Sequence, residues 1–290
     1  MQAATIEPGK YIIAVSGGID SVVLLDVLAR RPDIELVVAH VDHGIRTDSH
    51  EDAVFVRALA QEYGLVYEGT KLDLQGRVDE DTARRARHEW LESVYAHHDA
   101  DAIITAHHRD DVLETILINI IRGTGWRGLQ SLRQTGVYKR PFIAVPKIDI
   151  VTYAIDQGLS WHEDSTNDDV RYLRNYVRHG LMPKLGQEQS HELYRLYENQ
   201  CKIGGMITAA SKQLLRLASD GEDSLSRYWL IMTPDKVARE LLRQKYGAMT
   251  AAQLSRLLAF ARTARAGAKL ELSKQHGFRV TSRQLIVGTS

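Results

Sequence analysis

Between residues 11 and 122, short apolar runs alternate with amphipathic helical segments, and this alternation restricts the fold more than any other feature. Tyr11–Val15 (YIIAV) is a run of β-formers bounded by Gly9-Lys10 and Ser16-Gly17-Gly18. An all-apolar strand of this kind is buried on both faces, as in a parallel sheet. Ser21–Arg30 follows at helical spacing. Glu35–Val41 predicts a second strand, His50–Tyr63 a helix ended by Gly64, Leu65–Gly69 a weaker third strand, and Asp81–His98 a charged amphipathic helix. Ala102–Ala106 predicts a fourth strand and Asp110–Arg122 a helix stopped at Gly123. Strands alternating with helices give an α/β fold, a parallel sheet with helices on both faces. Ligands of such sheets gather at the carboxyl ends of the strands, so residues following each strand are the first candidates for a site.

Beyond Arg122 the pattern loosens, and Gly, Pro and charged residues punctuate 123–190. Ser190–Leu217 then places apolar residues at Leu193, Leu196, Tyr197, Ile203, Ile207, Leu214 and Leu217. That spacing predicts one long helix, running through Gly204-Gly205 and linking two domains. Residues 222–290 predict a small α+β module. It comprises a strand over Ser224–Met232, two short helices opened by Thr233-Pro234 and by Thr250, and three runs at Ala268–Leu272, Gly277–Thr281 and Gln284–Val287. The expected organisation is a domain at 1–189, a linker helix at 190–221 and a C-terminal domain at 222–290.

One cysteine, Cys201, excludes a disulfide framework, a cysteine-rich zinc site and a cysteine-ligated iron–sulfur cluster within one chain. No apolar run approaches the ~18 residues of a membrane span, and MQAATIEPGK holds no charged-then-apolar export signal. A cytoplasmic protein away from membranes is expected. The net charge of zero hides an asymmetry: residues 1–120 carry 11 Lys+Arg against 22 Asp+Glu, and residues 121–290 carry 26 against 15. The basic part suits a polyanion, or the two parts are solvated faces that attract each other.

Ser16-Gly17-Gly18-Ile19-Asp20-Ser21 lies between the first strand and its helix. Two glycines let the backbone turn sharply toward an anion, and the free N–H groups of a helix start favour phosphate. The loop lacks the Gly-Lys-Ser/Thr of a Walker A motif and the G-x-G-x-x-G dinucleotide pattern. A carboxylate beside phosphates is repulsive unless a cation intervenes, so Asp20 points to Mg²⁺; the alternative is that Asp20 and Ser21 only cap the helix. The hexapeptide resembles the loop of the PP-loop ATP pyrophosphatases, which split ATP between the α and β phosphates. By itself it leaves open NAD, GMP, asparagine and argininosuccinate synthesis as well as tRNA modification.

Further strings narrow the resemblance: His40-Val41-Asp42-His43-Gly44-Ile45-Arg46, Ala106-His107-His108-Arg109-Asp110-Asp111-Val112-Leu113-Glu114-Thr115, Arg122-Gly123-Thr124-Gly125-Trp126-Arg127-Gly128-Leu129, Glu163-Asp164-Ser165-Thr166-Asn167, and Tyr172-Leu173-Arg174-Asn175-Tyr176-Val177-Arg178. Together they resemble the bacterial tRNA(Ile)-lysidine synthetase family over about residues 11–185. The resemblance implies a Rossmann-like PP-loop domain that binds ATP with Mg²⁺ through Ser16, Gly17, Gly18, Ile19, Asp20 and Ser21. It implies ligation of free lysine to the wobble cytidine of an isoleucine tRNA with a CAU anticodon. The route is an adenylated cytidine, with AMP and pyrophosphate released. A homodimer and a monomer both stay open.

Asp20, Arg87, Asp111 and Glu114 are the candidate catalytic residues. Asp111 and Glu114 stand three apart at a helix start and so share a face. They suit the ammonium of a free lysine, or act only as acids facing the helix dipole. His107 and His108 fit helix capping or substrate contact better than zinc, for want of a third ligand. Arg84 and Arg87 suit a phosphate or a carboxylate, or a solvated face paired with Asp79–Asp81. His88 stands where the family carries Tyr. Arg174 and Arg178 share one face and suit RNA phosphate or ATP, and Arg239 and Arg243 suit tRNA phosphates. Trp126 is a plug or a stacking platform, and Cys201 a small core residue. Three rivals remain: a tRNA sulfur-inserting enzyme, a small-molecule ligase, and a nucleotide-binding regulatory module without catalysis.

Overall fold

A computed structural model describes residues 6–42, 49–72, 80–133, 136–162, 173–219, 221, 223–247, 249–273 and 276–288. The strings at 43–46 and 163–167, and Tyr172, lie outside them. The chain forms two compact units, 1–201 and 202–290.

The first unit is built from β1 (Gly9–Ala14), α1 (Ile19–Ala29), β2 (Ile34–Asp42), α2 (Ser49–Glu62), β3 (Val66–Lys71), α3 (Glu80–His97), β4 (Ala102–Ile104), α4 (Arg109–Ile121), β5 (Tyr138–Lys139), α5 (Lys147–Asp156) and the short α6 (Leu173–Tyr176). All five strands are parallel, in the order β3-β2-β1-β4-β5. Strand alternation sends Tyr11, Ile13 and Val15, with Leu36 and Val38, into one buried layer against α1, α2 and α5. Ile12, Val37, Ala39 and Ile103 enter the opposite layer against Leu91 and Val94 of α3. Helices therefore cover both faces, as the apolar runs require. Each fully buried Ile or Leu in these layers is worth roughly 1.5–3 kcal/mol. Gly64 (φ +66°) and Gly123 (φ +63°) end α2 and α4 in the left-handed conformation that glycine adopts without a Cβ clash.

The sheet holds one strand more than expected, since β5 adds to β4 through Ile103↔Tyr138 and Ile104↔Lys139. The order reverses between β1 and β4. The crevice at their carboxyl ends is where an open α/β sheet takes its ligand.

Helix α7 (Gln187–Ala218) runs unbroken through Gly204-Gly205, and the boundary between the units falls inside it. The second unit holds β6 (Ser224–Ser226), α8 (Arg227–Met232), α9 (Asp235–Tyr246), α10 (Ala251–Thr263), β7 (Lys269–Ser273), β8 (His276–Val280) and β9 (Gln284–Gly288). Its antiparallel sheet has the order β6-β9-β8-β7. Leu225, Leu230, Leu241, Leu242, Leu254, Leu257, Phe278 and Leu285 form its core. The strand expected over Ser224–Met232 is only three residues long and gives way to α8. The Arg227 guanidinium explains the turn, since it donates to the carbonyls of Ala261 (2.7 Å), Thr281 (2.8 Å) and Ala264 (2.9 Å) and redirects the chain. Thr233 does not open α9. Its hydroxyl donates to Trp229 O (2.7 Å), closing α8, and Pro234 is the N-cap of α9. Thr250 does cap α10, accepting from Gln253 N–H (3.2 Å) while Gln253 Oε1 accepts from Thr250 N–H (2.8 Å). Among the described residues no helix is long and apolar enough to cross a membrane.

Candidate functional site

The loop after β1 is held in shape by its own hydroxyls. Ser16 N–H donates to Ser21 Oγ (3.2 Å), and Ser21 Oγ–H donates to Gly18 O (2.8 Å). Gly17 sits at φ +92°, a conformation in which any side chain is strained. Its carbonyl accepts from His162 N–H (3.0 Å), and His162 Nδ1 lies 2.7 Å from Asp52 Oδ1 and stacks on Phe55. Gly18 is the N-cap of α1, so the first N–H groups of the helix, which have no intrahelical partner, open into the crevice.

Asp20 lies in the first turn of α1. Its Oδ1 accepts from Lys147 Nζ at 2.5 Å and stands 3.6 Å from His108 Nε2, beyond direct hydrogen bonding. Lys147 opens α5, a helix that sequence reasoning missed together with this site residue. Two bonds tie its start to α4: Lys147 N–H to Asp110 Oδ1 (3.3 Å) and Arg109 N–H to Val145 O (2.9 Å). A buried anchor fixes α5 against α1. Asp26 accepts from Arg30 Nε and Nη2 (both 2.9 Å), Tyr63 Oη (2.7 Å) and Tyr153 Oη (2.7 Å). Burial would raise the Asp26 carboxyl, but these donors outweigh it and hold the group below its ordinary range.

The β4 side supplies the rest. His108 is buried and its Nε2 is also 3.6 Å from Asp111 Oδ2, so the ring stands between the two carboxylates. Its Nδ1 is buried with no partner among the described residues. Asp111 Oδ2 accepts from His108 N–H (2.9 Å). One turn on, Glu114 is 2% exposed. It accepts from Arg178 Nε (2.8 Å) and Nη2 (3.1 Å) and from Arg174 Nε (3.3 Å), and Arg178 Nη2 is 3.9 Å from Asp111 Oδ1. Lys147, Asp20, His108, Asp111, Arg178, Glu114 and Arg174 thus form one polar row along the crevice. Asp111 and Glu114, expected to share a face and to suit a lysine ammonium, stand three apart in the first turns of α4, and guanidinium groups already occupy both Glu114 oxygens. Arg174 and Arg178, expected to face RNA or ATP, reach Glu114 from α6 and the turn after it.

Arg84 is exposed and Arg87 half-buried on α3. Burial pushes the His107 imidazole down to about 4, and Arg140, Arg87 and Arg84 act in the same sense against Asp111. The field of the two α3 arginines therefore reaches the end of β4. His88 has its own partner, Tyr138 Oη at 2.7 Å from Nδ1. Trp126 is half-buried beneath the Arg127 guanidinium, 4.7 Å from its ring centroid. Cys201 packs beside Tyr197, and burial raises its thiol pKa.

In the second unit, Arg239 pairs with Asp235 (3.7 Å) and Arg243 with Glu240 (3.9 Å), on α9 as expected. Lys269 and Arg279 are exposed register partners on β7 and β8. Like charges directly opposite are unfavourable unless an anion sits near them.

A parallel sheet with its glycine loop at the switch point and helix N–H groups facing the crevice defines a phosphate-binding α/β fold. The chain belongs to the PP-loop domain family, which matches residues 2–185. It is 32% identical over 257 residues to a tRNA(Ile)-lysidine synthase of Geobacter sulfurreducens, covering 82% of this chain and 55% of that protein. It is 37% identical over 206 residues to one of Exiguobacterium sibiricum, covering 70% and 48%. The chain spans about half the length of these curated relatives. Among solved structures it resembles a U34-tRNA thiolase from Methanococcus maripaludis, with a TM-score of 0.57 and 18% identity over 68% of this chain and 73% of that one. That likeness concerns the fold alone.

Proposed function

We propose that the chain is a tRNA(Ile)-lysidine synthase, joining free lysine to the wobble cytidine of an isoleucine tRNA with a CAU anticodon. The observation that carries the reading is the continuous polar row from the phosphate loop to Asp111 and Arg174, on a scaffold a third identical to enzymes of that name. ATP phosphates lie on the loop 16–21 and the N-terminus of α1. The cytosine O2 attacks the α phosphorus and pyrophosphate leaves; the lysine ε-amine then attacks C2 and AMP leaves. Hard carboxylate oxygen at the loop fits Mg²⁺, which Asp20 would hold and which would neutralise phosphate charge.

Lys147 holds Asp20 in the free enzyme and turns to the phosphates when ATP arrives. Asp111 takes the lysine ammonium, because Glu114 is enclosed by its arginines. Glu114 positions Arg174 and Arg178 along the crevice, and positioning of this kind supplies much of the rate. Arg87 lends positive potential to the same end of the sheet. In the second unit, Lys269 and Arg279 join Arg239 and Arg243 as candidates for tRNA phosphate.

Pyrophosphate release tests the reading. It should require isoleucine tRNA, proceed once per tRNA without lysine, and yield free AMP only when lysine is added. Release that needs no tRNA would replace this reading with that of a small-molecule ligase.

A further inference from the structure

Helix α3 ends in an unusual way. Asp99 follows it at φ +50°, in the left-handed region where glycine is the ordinary choice. Ala100 N–H reaches back to Tyr95 O (3.2 Å) and Asp99 N–H to Ala96 O (3.4 Å), which closes the helix and fixes His97 and His98 at its last turn. The two rings meet edge to face with centroids 5.0 Å apart. From β3, Glu68 Oε1 comes within 2.9 Å of His98 Nε2. One ligating atom from each of Glu68, His97 and His98 lies within 4.8 Å of the other two.

We propose that Glu68, His97 and His98 form a surface site for a divalent ion of the zinc class, which clips β3 to the end of α3. Two imidazoles and a carboxylate are a donor set suited to such an ion, with water completing a tetrahedron. Bonds of about 2.1 Å place ligand atoms roughly 3.4 Å apart. Glu68 and His98 already approach more closely than that, and the exposed His97 ring offers a nitrogen within 4.8 Å of both. The negative end of the 18-residue α3 adds a favourable field for a cation at this position. The site lies on the helix whose first turns carry Arg84 and Arg87, so occupancy would stiffen the element that presents them. It is independent of the ATP chemistry and of Mg²⁺, whose preference for oxygen ligands suits this set poorly.

The test is titration of the chelator-treated full chain with Zn²⁺ alone, by competition with a chromophoric chelator, with Co²⁺ as a spectroscopic probe. The wild-type chain should bind one equivalent, give the visible bands of tetrahedral cobalt, and melt at a higher temperature with zinc than without. His97→Gln, a surface change that leaves the Glu68–His98 contact in place, should weaken zinc at least about tenfold, since losing even an outer-shell partner costs that much. Glu68→Gln should do the same. Absence of one-equivalent binding in the wild type, or wild-type affinity and cobalt bands in both variants, would overturn the site.

Discussion

Replacing Glu114 by Gln separates a structural role from a substrate role. The carboxylate is 2% exposed and accepts three charged hydrogen bonds, at 2.8, 3.1 and 3.3 Å. Breaking a buried ion pair costs roughly 3–5 kcal/mol when both charges are enclosed. Here the Arg174 and Arg178 side chains are each 37% exposed and regain water once released, so the cost falls to about 2–3 kcal/mol. The amide keeps the size of the side chain but turns an NH₂ toward guanidinium donors, and it accepts at one atom only. For a unit of this size, 2–3 kcal/mol lowers the melting temperature by about 5–10 °C. Urea unfolding gives the free energy, and the lysine KM is measured below the transition. The expected result is a clear loss of stability with a lysine KM changed less than in Asp111→Asn. A variant of wild-type stability whose lysine KM alone rises would refute the positioning role and make Glu114 a direct lysine ligand.

Asp20→Asn should abolish pyrophosphate release while circular dichroism stays unchanged, and retained turnover with Mg²⁺ would remove the metal role. Lys147→Met should weaken ATP binding about tenfold or more, with Lys147→Arg partly restoring it in equilibrium dialysis; equal affinities would leave Lys147 only a partner of Asp20. His107 has its folded pKa pushed down from 6.5 to about 4, so the unfolded chain takes up the proton first as pH falls. This group leaves stability unchanged well above pH 6.5 and lowers it by roughly 3 kcal/mol as pH falls from 6.5 to 4. His107→Asn should flatten the acid limb of a stability–pH curve over that window. Lys269→Glu with Arg279→Glu should lower the salt slope of tRNA binding by about 2 in filter-binding titrations; an unchanged slope would mean that these strands do not meet RNA.

The phosphate loop and β1 were legible because an uninterrupted apolar strand leading into two glycines has few other uses. Asp111 and Glu114 were legible as neighbours from their spacing, but their different fates were not: one caps α4, the other is enclosed by arginines from a segment some sixty residues on. Lys147 was missed because α5 hides its amphipathic stripe. Ile150 and Ala154 are buried, yet Ile148 and Ile155 are exposed, so apolar residues surround the helix and the period blurs. Asp26, whose network anchors α5 to α1, looks like a stray acid in an apolar run until Tyr63 and Tyr153 arrive from distant positions. Ser224–Met232 reads as a strand from its aromatic and branched residues. The Arg227 contacts with three distant carbonyls override that propensity.

The most direct test of the account is the mass of the wobble nucleoside. Purified protein is incubated with ATP, Mg²⁺, isotopically labelled lysine and a CAU-anticodon isoleucine tRNA, and the tRNA is then digested and analysed. The expected product is a cytidine derivative that has gained lysine with loss of water, carries the label, and is absent without ATP or in the Asp20→Asn variant. Unmodified cytidine at that position, under conditions where ATP is bound and turned over, would contradict it.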